Sequence, residues 1–331
     1  MSEKIAILGA GSMGTACACI LARGGSHNVQ LWARNATFAR HIQETRENSR
    51  LLPGVRLPSS VNVTSNAEEA LQAADYIVVC IPTKGLRSAL QSLVSCIPES
   101  SLIVSAIKGI ENETLIRPSQ IVQELLGERP VVAFGGPCHA EEVARGKPAS
   151  VVAACDDLAS AEKVQILFSD DALRVYANND LLGVELAGAL KNVMAIAAGI
   201  SDGLCYGDNA RSALLTRGLA EMVRFGMRMG AQAETFFGLA GIGDLTATCC
   251  SQHSRNRRVG ELLGQGQSLT EIEASMHAVA EGVATTRSIV DLAVQRKIDM
   301  PIAREVYAVL FQGKAPSEAT EELMRRPLRT E

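Results

Sequence analysis

One lysine stands alone in a long apolar segment of the second half of the chain. Lys191 is the only charged residue in LAGALKNVMAIAAGI, residues 186–200. If this segment is helical, the side chains three and four positions away are small or apolar, so the ammonium lies against an apolar surface. Desolvation of an ammonium lowers its pKa towards neutral pH, which suits a proton donor and acceptor for an alcohol. The alternative is a lysine that reaches water or pairs with a carboxylate distant in sequence.

A second polar cluster, residues 238–258, combines glycines, an aspartate and a basic run. Three glycines precede Asp244, as expected of a loop held close to another group. Ser254 or Asn256 can cap a helix start, with Arg255 beside it. Backbone N–H groups, the helix dipole and a guanidinium together favour a phosphate dianion at such a start. The alternatives are a solvated basic helix face and a nucleic-acid patch, and the absence of interleaved aromatic residues counts against the second.

A glycine-rich turn near the N-terminus has the spacing of a dinucleotide-binding motif. Gly9, Gly11 and Gly14 follow the strand-like run KIAIL and precede the helical run TACACILARGG. The first glycine allows a tight turn, the second lets the backbone approach a pyrophosphate, and the third lets helix and strand pack closely. This position favours a dinucleotide site over a simple glycine-rich turn.

The end of the second predicted strand bears on the choice of cofactor. That strand ends in Leu31-Trp32-Ala33-Arg34-Asn35, without the carboxylate that would bind the ribose 2′-hydroxyl of NAD. Arg34 can instead pair with the 2′-phosphate of NADP. We therefore expect NADP to be favoured, with NAD not excluded, and the alternative for Arg34 is an ordinary surface arginine.

Three further loops follow predicted strands and carry polar residues. They are residues 82–84, Lys108-Gly109 and the segment GGPCHA at 135–140. Ligands of open α/β sheets bind beyond the carboxyl ends of the strands, so we expect nicotinamide and substrate to meet at these loops. Lys108 is a functional candidate on this argument, although a surface lysine at a strand end fits its position equally well.

The sequence pattern changes near residue 180. Up to residue 180, short β-branched runs alternate with helical stretches, which predicts a Rossmann-type, doubly wound parallel sheet with helices on both faces. The predicted strands are KIAIL, NVQLW, YIVVCI, LIVSAI, PVVAFG and ASVVAA. Beyond residue 180 the segments are longer and rich in Ala, Leu, Met and Glu, which is typical of helices. We predict a dinucleotide-binding domain at 1–180 and an all-α substrate-binding and catalytic domain at 181–331 that closes over the sheet edge.

Composition restricts the function classes. The chain has 331 residues, of which 47% are hydrophobic and 21% charged, the balance of a globular protein large enough for two domains. A formal net charge of -4 provides no overall positive field for nucleic acid or an anionic lipid surface. Nine cysteines without a CxxC pair indicate reduced thiols. We expect a cytoplasmic protein without membrane insertion, and no metal, because no metal-ligand spacing occurs.

The motifs together resemble those of the bacterial-type NAD(P)-dependent glycerol-3-phosphate dehydrogenases, over nearly the whole chain. The segments that carry the resemblance are GAGSMG near the start, IKGIE at 107–111, GGPCHAEEVARGKPASVV at 135–152, the lysine-bearing segment at 185–222, GLAGIGDLTATCCSQHSRNRRVG at 238–260 and VAEGVATT at 279–286. The resemblance implies reversible reduction of dihydroxyacetone phosphate to sn-glycerol 3-phosphate with NADP or NAD, for glycerophospholipid synthesis. We also expect a homodimer.

The resemblance also implies roles for single residues. Lys191 looks like the proton acceptor for the C2 hydroxyl, with Lys108 and Asp244 beside it to orient the oxygen. The implied substrate-binding residues are Lys108, Gly136, Cys138, Lys191, Asn192, Asp244, Thr248, Ser254, Arg255 and Asn256. The implied cofactor contacts are Gly9, Gly11, Ser12, Met13, Gly14, Arg34, Lys108, Ala140, Arg255, Val279 and Glu281. This chain departs from the family at Cys138, where a hydroxyl residue is usual, and at His139, where an aromatic residue is usual.

Two other classes of function stay open at this point. A related two-domain dehydrogenase for another hydroxy acid would differ in its substrate preference when Arg255 is altered. A non-enzymatic NADP sensor would keep the glycine motif but would not need Lys108, Lys191 and Asp244 together. Turnover of the triose phosphate separates the dehydrogenase of the named family from both.

Overall fold

An eight-stranded sheet forms the centre of the first part of the chain. The computed structural model describes residues 2–276, 280–328 and 330. The strands are β1 (Lys4–Leu8), β2 (Asn28–Trp32), β3 (Val61–Thr64), β4 (Tyr76–Val79), β5 (Leu102–Ser105), β6 (Val131–Gly135), β7 (Ala149–Ala154) and β8 (Leu173–Asn178). Their order in the sheet is β3-β2-β1-β4-β5-β6-β7-β8, and every neighbouring pair is parallel except β6 and β7.

The predicted Rossmann-type sheet is confirmed. Two strands were missed, and one pair of neighbouring strands is antiparallel where the prediction had a parallel sheet. The prediction missed β3, which has only four residues, two of them polar. It also missed the edge strand β8, whose sequence LRVYAN begins with alternating buried and exposed residues. A parallel return needs a long crossover connection, and the segment between β6 and β7 contains only a one-turn helix, so β7 pairs antiparallel.

Helices cover both faces of the sheet. They are α1 (Ser12–Arg23), α2 (Ala36–Thr45), α3 (Ala67–Leu71), α4 (Thr83–Leu93), α5 (Pro118–Leu126), α6 (Ala140–Val143) and α7 (Leu158–Phe168), with a 3-10 turn at Val94–Cys96. Side chains of α1 and α7 pack on one face around Ile5, Ile7 and Val78. Side chains of α4 and α5 pack on the other face around Leu8 and Val79. Neighbouring residues of one strand therefore enter opposite cores, as the pleat requires.

The second part of the chain contains helices and no strand among the residues that the structure describes. Its helices are α8 (Leu181–Gly203), α9 (Gly207–Met229), α10 (Ala233–Phe237), α11 (Asp244–Cys250), α12 (Arg255–Gly264), α13 (Leu269–Ser275), α14 (Glu281–Gln295), α15 (Pro301–Phe311) and α16 (Pro316–Met324), with a π-helical turn at Leu239–Gly243. The all-α prediction for this part is confirmed. The chain separates into two units, one of 1–108 with 116–185 and one of 109–115 with 186–331. The boundary predicted after residue 180 stays a prediction.

Helix α8 begins in the first unit and continues, from residue 186, in the second. By length and composition it could cross a membrane, and it is the only described helix that passes this test. However, 94% of its most apolar 18-residue window is buried inside the protein, as in the core helix of a globular domain.

Candidate active site

The glycine turn between β1 and α1 leaves its backbone open where a phosphate would approach. Gly9 has a φ of +110°, and a Cβ at Gly14 would lie 1.9 Å from the Gly9 carbonyl oxygen, so glycine is required at both positions. Gly11 is the N-cap of α1, and a Cβ there would meet no atom within 4 Å. The turn therefore fits a dinucleotide pyrophosphate at the start of α1.

Asn48, which the sequence reasoning missed, anchors this turn from the segment after α2. Its side-chain amide is fully buried and donates to the Ala10 carbonyl oxygen at 3.0 Å and to the Thr15 hydroxyl at 2.8 Å. Ser12, a predicted cofactor contact, donates its hydroxyl to the Leu51 carbonyl oxygen at 2.6 Å. These bonds fix the shape of the turn. A single asparagine in a loop gives no sequence signal of such a role.

The other predicted cofactor residues of the first unit lie on neighbouring elements. Arg34 is exposed just beyond the end of β2, and the Gly9 N–H donates to the Trp32 carbonyl oxygen at 3.0 Å, so this strand end adjoins the glycine turn. Met13 is partly buried on α1, and Ala140 is the buried first residue of α6. Helix α6 packs against α1.

Lys108 and the loop after β6 come together in the first unit. The Lys108 ammonium donates to the Gly136 carbonyl oxygen at 2.9 Å and to the Cys138 sulfur at 3.6 Å. Gly136 has a φ of +108°, and a Cβ there would lie 3.1 Å from the Val151 Cα, so this position also requires glycine. His139 stands at the N-cap position of α6 without a capping side-chain bond.

Lys191 is buried on α8 and bonded to two predicted site residues. Its ammonium lies 2.7 Å from Oδ1 of Asp244 and 2.7 Å from Oγ1 of Thr248. The Thr248 hydroxyl donates in turn to Oδ1 of Asp244 at 3.3 Å. The side chains of lysine and aspartate are only 7% and 2% exposed. The structure therefore combines two of the sequence interpretations. Lys191 pairs with a carboxylate distant in sequence, and its ammonium is also removed from water.

The aspartate is positioned by a backbone contact. Asp244 begins α11 directly after the π-helical turn, where a Cβ on Gly241 would lie 2.0 Å from the Phe236 carbonyl oxygen.

Burial raises the pKa of the nearby Cys249 thiol far above its ordinary value, and the Lys191 ammonium only partly opposes this shift. The raised pKa favours the neutral thiol beside the charged pair.

The start of α12 has the predicted cap. The Ser254 hydroxyl accepts from the Arg257 N–H at 3.2 Å, so serine is the N-cap, and Arg255 is the exposed first residue of the helix. Asn256 lies one residue inside the helix and is 8% exposed. Its amide donates to Oδ1 of Asn192 at 2.9 Å and accepts from the Gly282 N–H at 3.0 Å. This predicted substrate residue therefore joins α8, α12 and α14.

Helices α8 and α12 cross in backbone contact, which the sequence reasoning did not foresee. A Cβ on Gly199 would lie 1.9 Å from the Arg257 carbonyl oxygen, and a Cβ on Gly260 would lie 2.0 Å from the Ile196 carbonyl oxygen. Each helix carries a second glycine four residues further on, at Gly203 or Gly264. Glycine pairs four residues apart on both helices were the available signal.

Two predicted cofactor residues are Glu281 and, two positions earlier in the sequence, Val279. Glu281 is the half-buried first residue of α14. Val279 lies outside the described residues.

The first unit has the glycine turn and mostly parallel sheet of a dinucleotide-binding domain, and the second unit is helical and contains the buried Lys191. The family described as "NAD-dependent glycerol-3-phosphate dehydrogenase N-terminus" matches residues 4–161, and the one described as "NAD-dependent glycerol-3-phosphate dehydrogenase C-terminus" matches residues 180–321. The chain therefore belongs to the NAD-dependent glycerol-3-phosphate dehydrogenase family, as the sequence resemblance predicted.

Individual relatives agree with this assignment. The chain is 47% identical to a "Glycerol-3-phosphate dehydrogenase [NAD(P)+]" of Moorella thermoacetica over 99% of this chain and 97% of that protein. It is 46% identical to a protein with the same description from Bacillus velezensis, over 98% and 94%. A crystal structure of a glycerol-3-phosphate dehydrogenase from Coxiella burnetii superposes with a TM-score of 0.94 at 36% identity, covering 98% of this chain and 99% of that one.

Proposed function

We propose that this chain is an NAD(P)+-dependent glycerol-3-phosphate dehydrogenase, which interconverts dihydroxyacetone phosphate and sn-glycerol 3-phosphate and supplies glycerophospholipid synthesis. The observation that carries the proposal is the buried Lys191 ammonium, bonded to Asp244 and Thr248, in a chain that matches both family descriptions. An ammonium removed from water can exchange a proton with an alcohol oxygen, which is the acid–base step that this redox reaction requires.

In the reduction, Lys191 gives a proton to the C2 carbonyl oxygen, and in the oxidation it takes the hydroxyl proton back. Asp244 and Thr248 hold the ammonium by the two 2.7 Å bonds and aim it. When bound, the nicotinamide supplies or removes the hydride at C2. Lys108 and Asn192 contribute further donors to the substrate oxygens, and the loop of Gly136 and Cys138 bounds the substrate.

The phosphate of the substrate is bound at the start of α12. Ser254 caps this helix start, and Arg255, its first residue, is exposed. The N–H groups of a first helical turn and a guanidinium beside them both favour a phosphate. Asn256 still has one amide hydrogen beyond the bonds described above. A phosphate held there places C2 at the lysine by proximity.

The cofactor is bound by the glycine turn and its neighbours. Gly9, Gly11 and Gly14 form the turn that receives the pyrophosphate. The remaining contacts are Ser12, Met13, Arg34, Lys108, Ala140, Arg255, Val279 and Glu281. Arg34 favours NADP over NAD, because its guanidinium can pair with the 2′-phosphate. We further propose a cytoplasmic homodimer without membrane insertion.

The test is spectrophotometric. Purified protein is mixed with NADPH or NADH and dihydroxyacetone phosphate, and the loss of reduced-cofactor absorbance is followed. We expect turnover in the wild type and turnover about 10²–10⁴-fold lower in Lys191→Ala. Absence of turnover with both nicotinamides would reject the function, and binding of NADPH without turnover would point to a cofactor sensor.

A further inference from the structure

The first turn of α12 is fastened to α8 at three points. Its Arg257 carbonyl oxygen touches the α8 backbone at Gly199, where a Cβ would lie at 1.9 Å. The Arg257 guanidinium binds Oδ2 of Asp202, with both Nε and Nη2 at 2.7 Å. The Asn256 amide binds Asn192 at 2.9 Å. All three contacts lie within the second unit.

Asp202 also forms a salt bridge with a second arginine. Arg211 on α9 donates through Nε to Oδ1 at 2.9 Å, so each carboxylate oxygen has its own arginine. The side chain of Asp202 is 8% exposed, that of Arg257 17% and that of Arg211 32%. Removing Arg257 therefore leaves the buried carboxylate paired with Arg211, and the usual cost of a lone buried charge is avoided.

A helix start needs such fastening if it is to grip a phosphate. The first turn has N–H groups without intrahelical partners and frays easily. In dihydroxyacetone phosphate the carbonyl carbon and the phosphorus are a fixed number of bonds apart. The group that protonates the oxygen and the group that holds the phosphate must therefore keep a fixed separation.

We infer that Asp202 is a positioning residue for the substrate phosphate. Through Arg257 it holds the start of α12, and with it Arg255, in register along α8 with Lys191. The inference rests on the proposed function, because it assumes that Arg255 meets a phosphate. It assigns no contact between Asp202 and the substrate.

The experiment compares two arginines that share this carboxylate. Arg257→Met removes the contact to α12, and Arg211→Met removes the matched contact to α9. We expect Arg257→Met to raise KM for dihydroxyacetone phosphate about tenfold, with kcat within about threefold and KM for NADPH within about twofold of the wild type. Arg211→Met should leave all three constants within about twofold. Arg257→Lys should have a KM for dihydroxyacetone phosphate between those of the wild type and Arg257→Met, because an ammonium can reach the same carboxylate oxygen.

The outcomes separate positioning from a merely structural role. Thermal unfolding is measured for each variant, so that KM values refer to folded protein. Equal effects of Arg257→Met and Arg211→Met, or a joint change of kcat and of both KM values, would overturn the inference. An unchanged KM for dihydroxyacetone phosphate in folded Arg257→Met would overturn it as well. A wild type without turnover would instead reject the proposed function, before any variant is compared.

Discussion

The Lys191 ammonium and the Asp244 carboxylate form one buried unit, so replacing one of them is not the same as replacing both. A single replacement leaves a charge without its partner inside the protein, which costs about 3–5 kcal/mol. Replacing both with apolar residues of similar volume is often neutral for stability. The pair of experiments separates the chemistry of the ammonium from its contribution to folding.

We predict that Lys191→Met lowers turnover about 10²–10⁴-fold, because the proton donor is lost, and destabilises the protein by about 3–5 kcal/mol. The double variant Lys191→Met with Asp244→Leu should regain most of the stability and none of the turnover. Urea unfolding and initial rates measure the two effects. Recovery of turnover in the double variant would contradict the acid–base role of the lysine.

Arg34 tests the choice of cofactor. We predict that Arg34→Ala raises KM for NADPH about tenfold or more, because a charge-assisted hydrogen bond contributes about 1.5–3 kcal/mol, and changes KM for NADH little. Arg174→Ala is the matched control, since this arginine is exposed on the edge strand β8 and stacks on Tyr176. Equal losses with both cofactors would exclude a 2′-phosphate contact.

At the scale of elements, the α8–α12 crossing leaves no room for a side chain at Gly199 or Gly260. We predict that Gly260→Ala destabilises the protein by about 3 kcal/mol, because the new Cβ would lie 2.0 Å from a backbone oxygen and the helices must separate. Gly85→Ala in α4 is the control, where a Cβ would meet only the Ile81 side chain at 3.8 Å. The control should be neutral or slightly stabilising, since alanine favours a helix. Urea unfolding of both variants checks this, and equal effects would contradict it.

The sequence predicted those elements whose signal is local. The glycine turn and the buried parallel strands were recognisable because turn chemistry and runs of β-branched residues are read within a few positions. The antiparallel pairing of β7 was not, because strand direction depends on the length of the connection. The four-residue β3 lacks a periodic run long enough to identify.

The same distinction between local and long-range signals applies to the residues of the candidate site. Lys191 stood out because an isolated charge in an apolar segment is a local anomaly. The bonds of Asn256 to Asn192 and Gly282, and of Asn48 to the glycine turn, join segments far apart in sequence. No single-sequence periodicity reports such contacts, so the sequence could name Asn256 but not the helices that it joins.

At the scale of the whole molecule, the second unit holds the proposed proton donor and the proposed phosphate site on two helices that touch. Their separation therefore does not depend on the first unit.

The second unit also contains a buried carboxylate, Glu221 on α9, which accepts from the Ile302 N–H at 2.6 Å and the Ala303 N–H at 3.4 Å at the start of α15. Burial raises the pKa of Glu221 to about 7, against the opposing effect of these N–H groups and of Arg224, and Asp299 raises it further.

This shift makes the stability of the folded protein depend on pH. Between about pH 4.5, the ordinary value, and about pH 7, the folded state holds a proton on Glu221 that the unfolded state has lost, so stability falls as pH rises through this window. We predict that the free energy of unfolding of the wild type, relative to Glu221→Gln, decreases by up to about 3 kcal/mol from pH 4.5 to 7 and is level above it. Glu273→Gln, at an exposed position of α13, should run parallel to the wild type. Urea unfolding at several pH values measures the three proteins, and parallel curves for wild type and Glu221→Gln would contradict the prediction, because they would show that folding does not change the pKa of Glu221.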